Sequence, residues 1–80
     1  MNRLGKVLHL SNSKNLILKT KIRVKTGTSV LNDELNQIGR VLDVFGPVKE
    51  PYVSVKPTID VPEKYVGCFL YVMSVEETLT

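Results

Sequence analysis

The chain is short of the groups from which enzymes and metal sites are built. Its 80 residues hold one cysteine, Cys68, and one histidine, His9. A single cysteine excludes an internal disulfide, so the fold is not a disulfide scaffold. Cys68 lies between Gly67 and the apolar run Phe69-Leu70-Tyr71-Val72. It is expected to be a buried, inert thiol. One Cys and one His without a carboxylate cluster nearby do not make a zinc site. His9 is flanked by Leu8 and Leu10 and has no carboxylate partner in sequence. It reads as a surface histidine. Carboxylates are paired only as Asp33-Glu34 and Glu76-Glu77. In extended chain such neighbours point to opposite faces, so neither pair is an acid/base dyad. Asp43, just before the Phe45-Gly46-Pro47 bend, is expected to bind backbone N–H groups there. The glycines are dispersed rather than gathered into a phosphate-binding loop. The residues therefore argue against an enzyme and imply no cofactor and no metal.

Long hydrophobic runs are also missing. No stretch approaches the roughly 18–20 apolar residues that span a bilayer. No signal-peptide core follows Met1-Asn2-Arg3-Leu4-Gly5-Lys6. An intracellular protein with no membrane partner is expected. Acidic residues are absent from positions 1–32, which carry seven basic ones. Positions 33–80 carry four basic and eight acidic residues, a balance of −4 that leaves a net +3. The first part of the chain is thus a positive lobe, suited to a polyanion or to solvent. Aromatic residues are few: Phe45, Tyr52, Tyr65, Phe69 and Tyr71. In sequence they do not interleave with the basic residues 19–25, so the pattern of stacking platforms in a basic groove is weak.

What remains is 42% hydrophobic residues, ordinary for a folded protein, in a chain with room for one small domain. Short β-strands are expected at Leu4–Leu10, Leu16–Val24, Ser29–Leu31, Gln37–Phe45, Tyr52–Lys56 and Gly67–Val75, separated by turn residues. In the second, Leu16, Leu18, Ile22 and Val24 share one face and Lys19, Lys21, Arg23 and Lys25 the other, with a break or bend near Thr20. Gln37–Phe45 carries apolar residues on both parities, as if both faces met something. Pro57–Lys64 reads as a proline-bounded loop. No stretch has a sustained helical period. Short strands with Gly/Pro turns read as an all-β small barrel, in which closure hides the strand edges. The barrel domain is expected over 1–75, with 76–80 a fraying tail.

The bend Asp43–Pro57 holds Phe45, Tyr52 and the prolines Pro47, Pro51 and Pro57. Proline fixes φ and lowers the entropy lost on ordering, so Pro47 and Pro51 pre-shape an exposed loop. Phe45, Val48 and Tyr52 then either dock against another protein or fold inward and complete the core.

The stretches LGKVLH at 4–9, IGRVLDVFGPVKEPYVSVKP at 38–57 and YVGCFLYV at 65–72 resemble the glycine-arginine-rich-domain subunit of the H/ACA ribonucleoproteins. These particles make pseudouridine in RNA. The resemblance implies a six-stranded closed barrel of the elongation-factor second-domain type and no catalysis. It implies a non-catalytic subunit that binds the pseudouridine synthase catalytic subunit. Through contact with the synthase's substrate-holding loop, that subunit aids substrate loading and turnover in rRNA modification. Guide RNA and target rRNA are met indirectly, within the particle. Carried onto this chain, the synthase interface is Phe45, Gly46, Pro47, Val48, Pro51 and Tyr52, with Ile38 and Val41 as weaker members. Val53 and Val55 are assigned to the core. The absence of glycine-arginine-rich flanks suits the archaeal form, for which a cytoplasmic location is expected. The basic C-terminal tail of some members is expected to be either absent or cut away, since the sequence stops at Thr80 after an acidic pair. Residues 19–29 match the family poorly. Lys19, Lys21, Arg23 and Lys25 are expected to contact RNA or an acidic surface, and an autonomous RNA-binding barrel using this face is the alternative reading. Without its partner, the chain is expected to be able to pair through its apolar patch as a homodimer.

Overall fold

The computed structural model describes residues 2–73. Six strands are present among them: β1 (Asn2–Leu10), β2 (Leu16–Lys19), β3 (Ser29–Leu31), β4 (Gln37–Phe45), β5 (Tyr52–Pro57) and β6 (Phe69–Val72). They close into an antiparallel barrel in the order β1-β2-β5-β4-β3-β6. The expected all-β closed barrel is what forms. Inside it lie Leu4, Val7, Leu16, Leu18, Val30, Ile38, Val41, Val53, Val55, Leu70 and Val72, each at most 2% exposed. Seven of these eleven are β-branched valine or isoleucine, which pack well on pleated strands, and four are leucine.

The expected loop 57–64 contains a short 3₁₀ turn, Pro62–Tyr65, opened by Pro62 at its first turn. Proline is tolerated there because the missing N–H would have no partner in the helix. Residues 74–75 of the expected last strand, and the tail 76–80, lie outside the described residues.

β2 is shorter than its alternation suggested. The regular strand stops at Lys19, and Lys21–Lys25 form irregular chain. Thr20 makes the break. Its side-chain Oγ1 accepts a bond from the Ile22 N–H at 3.2 Å, and its own N–H donates to the Pro51 carbonyl at 3.0 Å. A threonine hydroxyl that bonds the backbone two residues on competes with a strand ladder and turns the chain. Ile22 and Val24 still pack against the core from this irregular segment.

β4 carries a bulge. Val41 pairs with Val55, but Asp43 pairs with Ser54, so Leu42 and Asp43 oppose one residue. The extra residue inverts the facing of everything after it. Val41 points in, Leu42 and Asp43 are exposed, Val44 turns back toward the core, and Phe45 faces out. This explains why both parities of Gln37–Phe45 are apolar. The Asp43 carboxylate accepts a bond from the Val44 N–H at 2.9 Å, which is the backbone role expected of it.

Asn32 secures the other end of the barrel. Its Oδ1 accepts from the Glu34 and Asn36 N–H groups at 2.9 and 3.0 Å, and its Nδ2 donates to the Tyr65 hydroxyl at 3.1 Å. The clamp shapes the β3–β4 tip, where Leu35 adopts φ of 67°. Asn32→Ala removes three bonds and leaves donors half-buried. Each such bond contributes about 1 kcal/mol, so a loss of roughly 2–3 kcal/mol is expected. That lowers the melting temperature by about 10–20 °C in a domain of this size. A thermal melt within 3 °C of the parent chain would show that the clamp is dispensable.

Candidate docking face

The bulge at Leu42-Asp43 decides where the two bend aromatics point. Phe45, the last residue of β4, is 43% exposed and pairs with Tyr52, the first residue of β5. Their rings stack with centroids 5.7 Å apart and planes 23° from parallel. Tyr52 in turn pairs with Lys19 of β2, whose ammonium lies 5.4 Å from the Tyr52 ring centroid. Phe45, Tyr52 and Lys19 thus form a row across three strands on the outer wall. Offset aromatic pairs and cations over a ring face each contribute about 0.5–1.5 kcal/mol.

Between Phe45 and Tyr52 the chain turns at Gly46, with φ of +93°. A Cβ at Gly46 would stand 3.0 Å from a ring carbon of Tyr52, so the left-handed turn and the close ring both require glycine here. Pro47 and Pro51 restrict the loop, and the Pro51 carbonyl is tied to Thr20. The loop presents Val48, which is 96% exposed. An aliphatic side chain held in water by a constrained loop gains by docking.

An open groove of about 610 Å³ runs beside the bend. One wall is Lys21–Val24, and the other is formed by Val44–Lys49 with Pro51. The first wall is held at both ends. Thr20 bonds Pro51, while the Gly27 N–H donates to the Val41 carbonyl at 2.7 Å and the Val41 N–H to the Thr28 carbonyl at 2.9 Å. Lys21, Arg23 and Lys49 line the groove, and no carboxylate is among the described residues that do.

The structure therefore brings together Phe45, Gly46, Pro47, Val48, Pro51 and Tyr52. It does not bring Ile38 or Val41 to them. Both are 2% exposed and belong to the core. Val41 faces inward ahead of the bulge at Leu42-Asp43, and a second register shift, between β4 and β3 at Val30/Leu31, goes with the inward facing of Ile38. Val53 and Val55 are core residues as expected. Lys19, Lys21, Arg23 and Lys25 do not share one strand face, since β2 ends at Lys19. Lys19 caps the aromatic row, Lys21 and Arg23 line the groove, and Lys25 leads into the turn at Gly27. Sequence reasoning missed Lys49 and the apolar wall residues Ile22 and Val24. The only local signal for that wall is the break at Thr20.

Two further expectations change. Within residues 19–25 one basic residue does meet an aromatic ring once the barrel closes, Lys19 with Tyr52, and outside that segment Arg3 meets Phe69 and Lys64 meets Tyr65. The Arg3 guanidinium lies 4.4 Å from the Phe69 ring centroid on β1 and β6, across the barrel from β4 and β5. Cys68 is exposed, not buried. The reason is its place before β6: its N–H and carbonyl bond Tyr65 and Val7, while the inward positions of that strand go to Leu70 and Val72. A second cleft of about 240 Å³ lies beside it, lined in part by Tyr65 and Tyr71. Among the described residues no three His, Cys, Asp or Glu side chains gather to hold a metal.

The sequence profile of the Gar1/Naf1 RNA binding region matches residues 1–78. The chain belongs to the Gar1/Naf1 family. It is 38% identical over 76 residues to an uncharacterised protein of Methanothermobacter thermautotrophicus, covering 90% of this chain and 83% of that one. It is 37% identical over 51 residues to an uncharacterised protein of Methanocaldococcus jannaschii, covering 64% of this chain and 62% of that one. These archaeal relatives support an archaeal Gar1-like protein. At family level, Gar1/Naf1 proteins are RNA-binding, non-catalytic accessory proteins associated with H/ACA ribonucleoproteins. In this Gar1/Naf1 barrel the candidate docking face is assembled by β2, β4 and β5 and by the two connections that border the groove.

Proposed function

We propose that this chain is a non-catalytic subunit of an archaeal, cytoplasmic H/ACA pseudouridylation particle. It docks on the pseudouridine synthase catalytic subunit through the face built by Phe45, Gly46, Pro47, Val48, Pro51 and Tyr52. The supporting observation is the outward row of Phe45 on Tyr52 beside a proline-constrained loop that exposes Val48. Rigid aromatic and aliphatic anchors lose little entropy on binding and characteristically carry most of an interface's energy. Once docked, the barrel aids substrate loading and turnover by binding two states of the substrate-holding loop unequally. A subunit with equal affinity for both states would shift nothing. Guide RNA and target rRNA are engaged through the assembled particle. In the absence of the synthase, the same apolar face offers a surface for self-pairing.

The direct test is co-elution of this chain with a purified archaeal pseudouridine synthase subunit, without RNA, at moderately high salt. A stoichiometric complex is expected. An elution profile of two separate proteins would refute docking.

A second reading, direct RNA contact through the basic residues, is favoured by one observation. Lys21, Arg23 and Lys49 share a groove next to the row of Lys19, Tyr52 and Phe45. RNA held this way is released steeply by salt, with a slope of about −0.7 per phosphate neutralised on a single strand. Retention of RNA that survives 0.5 M salt, roughly, would not fit that mode.

A further inference from the structure

The groove beside the bend combines two chemistries. Its cations are Lys21, Arg23 and Lys49, held on both walls. Its apolar lining is mostly aliphatic, with Ile22, Val24, Val44 and Val48 among the residues on it. From this pairing we propose that the groove is a receptor for an acidic segment of the synthase subunit, extended along it and anchored by an aliphatic side chain. The inference rests on the docking reading above and deepens it by naming what chemistry the partner presents here.

Three observations carry it. The first is charge. Three cations and no lining carboxylate make a concave positive site, and low-dielectric walls focus its field toward an anionic partner. The second is the lining itself. Single-stranded nucleic acid is typically held by successive aromatic platforms for its bases in addition to cations. Phe45 is the only aromatic residue among the described residues lining the groove, and one face of its ring is taken by Tyr52. Isoleucine and valine walls suit a leucine, isoleucine or valine side chain instead. The third is rigidity. The Lys21–Val24 wall is fixed by the bonds of Thr20 and Gly27 and by packing of Ile22 and Val24 on the core. The opposite wall is fixed by Pro47, Pro51 and the Gly46 turn. The groove is preformed, so little ordering cost falls on binding.

Division of labour follows from position. The exposed Val48 and the Phe45–Tyr52 stack provide apolar contact area. The exposed cations at the groove rim act mainly on encounter and on selection of an acidic partner. They are therefore separable by salt and by mutation.

The test uses the full chain and the purified synthase subunit. Binding is measured for the parent chain and for Lys21→Glu/Arg23→Glu, at several salt concentrations. All the altered side chains are exposed, and a thermal melt checks that the barrel is intact. The charge-reversed chain is expected to bind about 10–100-fold more weakly near 0.1 M salt, mostly through a slower association rate. The gap is expected to close to within about threefold near 1 M salt, where the Debye length is about 3 Å. Carbodiimide, which joins an amine to a carboxylate in direct contact, is expected to link Lys21 or Lys49 to Asp or Glu residues of one short synthase segment. Equal affinity and equal salt dependence for the two chains would overturn the proposal, as would carbodiimide links confined to lysines outside the groove. Intact synthase binding with loss of RNA retention in the charge-reversed chain would also overturn it and assign the groove to RNA. A parent chain that fails to bind synthase at any salt overturns the docking reading itself, and the inference falls with it.

Discussion

Val48→Asp is expected to weaken the complex with the synthase subunit by at least about 30-fold, the effect of losing a central interface anchor of about 2 kcal/mol or more. Val48 makes the cleanest probe of the face because it is 96% exposed. Its side chain contributes almost nothing to the barrel, so the melting temperature should stay within about 2 °C of the parent value, as expected for surface substitutions. The carboxylate has to be desolvated on docking, and this adds to the loss of the aliphatic contact. Tyr52→Ala is the companion variant. It removes the ring that stacks on Phe45 and lies beneath Lys19, so it collapses the whole row. A comparable loss of affinity is expected, accompanied by a measurable stability cost, because Tyr52 is half-buried in the free chain. The two variants together separate docking from folding. Titration calorimetry or surface binding against the synthase subunit reads the first, and a thermal melt reads the second. If both variants bind as the parent does, the face assigned here is not the interface.

Gly5→Ala is expected to produce the largest loss of stability among conservative substitutions in the described barrel. A Cβ at Gly5 would overlap the Lys19 carbonyl oxygen, with the Leu18 side chain also 3.2 Å away. The obstacle is backbone, not the flexible end of a side chain. β1 would have to move away from β2, against the ladder that pairs Val7 with Leu18 and Leu10 with Leu16. Overpacking of this kind costs roughly 1–3 kcal/mol and more where nothing can yield, so about 3 kcal/mol is expected. For a domain of this size that is a fall of about 12–24 °C in melting temperature. Gly67→Ala is the control. Its Cβ would meet nothing within 4 Å, so only the cost of φ +88° remains, roughly 1 kcal/mol. The expected order is Gly5→Ala far below Gly67→Ala, with Gly67→Ala slightly below the parent. A Gly5→Ala barrel that melts within 3 °C of the parent would mean that β1 and β2 do not approach so closely.

These two expectations touch different properties, and the division has a structural cause. The barrel closes on valine, isoleucine and leucine side chains, and its tight places are backbone-to-backbone, as at Gly5 and at Gly39, where a Cβ would stand 2.6 Å from the Lys56 carbonyl oxygen. The candidate docking face is the reverse at its most exposed residue: Val48 sits in a loop outside the ladder and is 96% exposed, so it can change without disturbing closure.

Much of this protein was legible in its sequence. Period-two alternation, Gly/Pro turns and the lack of any helical period pointed to a small closed barrel, because each of these is a local property of a few residues. The bend 45–52 was also legible as a place where aromatic residues and prolines are concentrated. Whether Phe45 folds in or out was not. That depends on one extra residue at Leu42-Asp43, and a bulge is defined only by the partner strand, here by Ser54 on β5. Ile38 and Val41 were misplaced for the same reason: they have opposite parity, and both face inward only because β4 shifts register against β3 and again against β5. The row of four basic residues at 19–25 was an alternation continued past the point where the strand ends. Thr20 turns the chain because its N–H finds the Pro51 carbonyl, 31 positions further on. The exposure of Cys68 and the pairing of Arg3 with Phe69 likewise depend on which strands closure makes neighbours. Sequence alone determined the fold class, the positive first lobe and the rigid bend, since propensity, charge and proline act locally. Tertiary structure alone decided which side chains face outward and that the bend and the basic segment border one groove, since facing and adjacency are properties of register and closure.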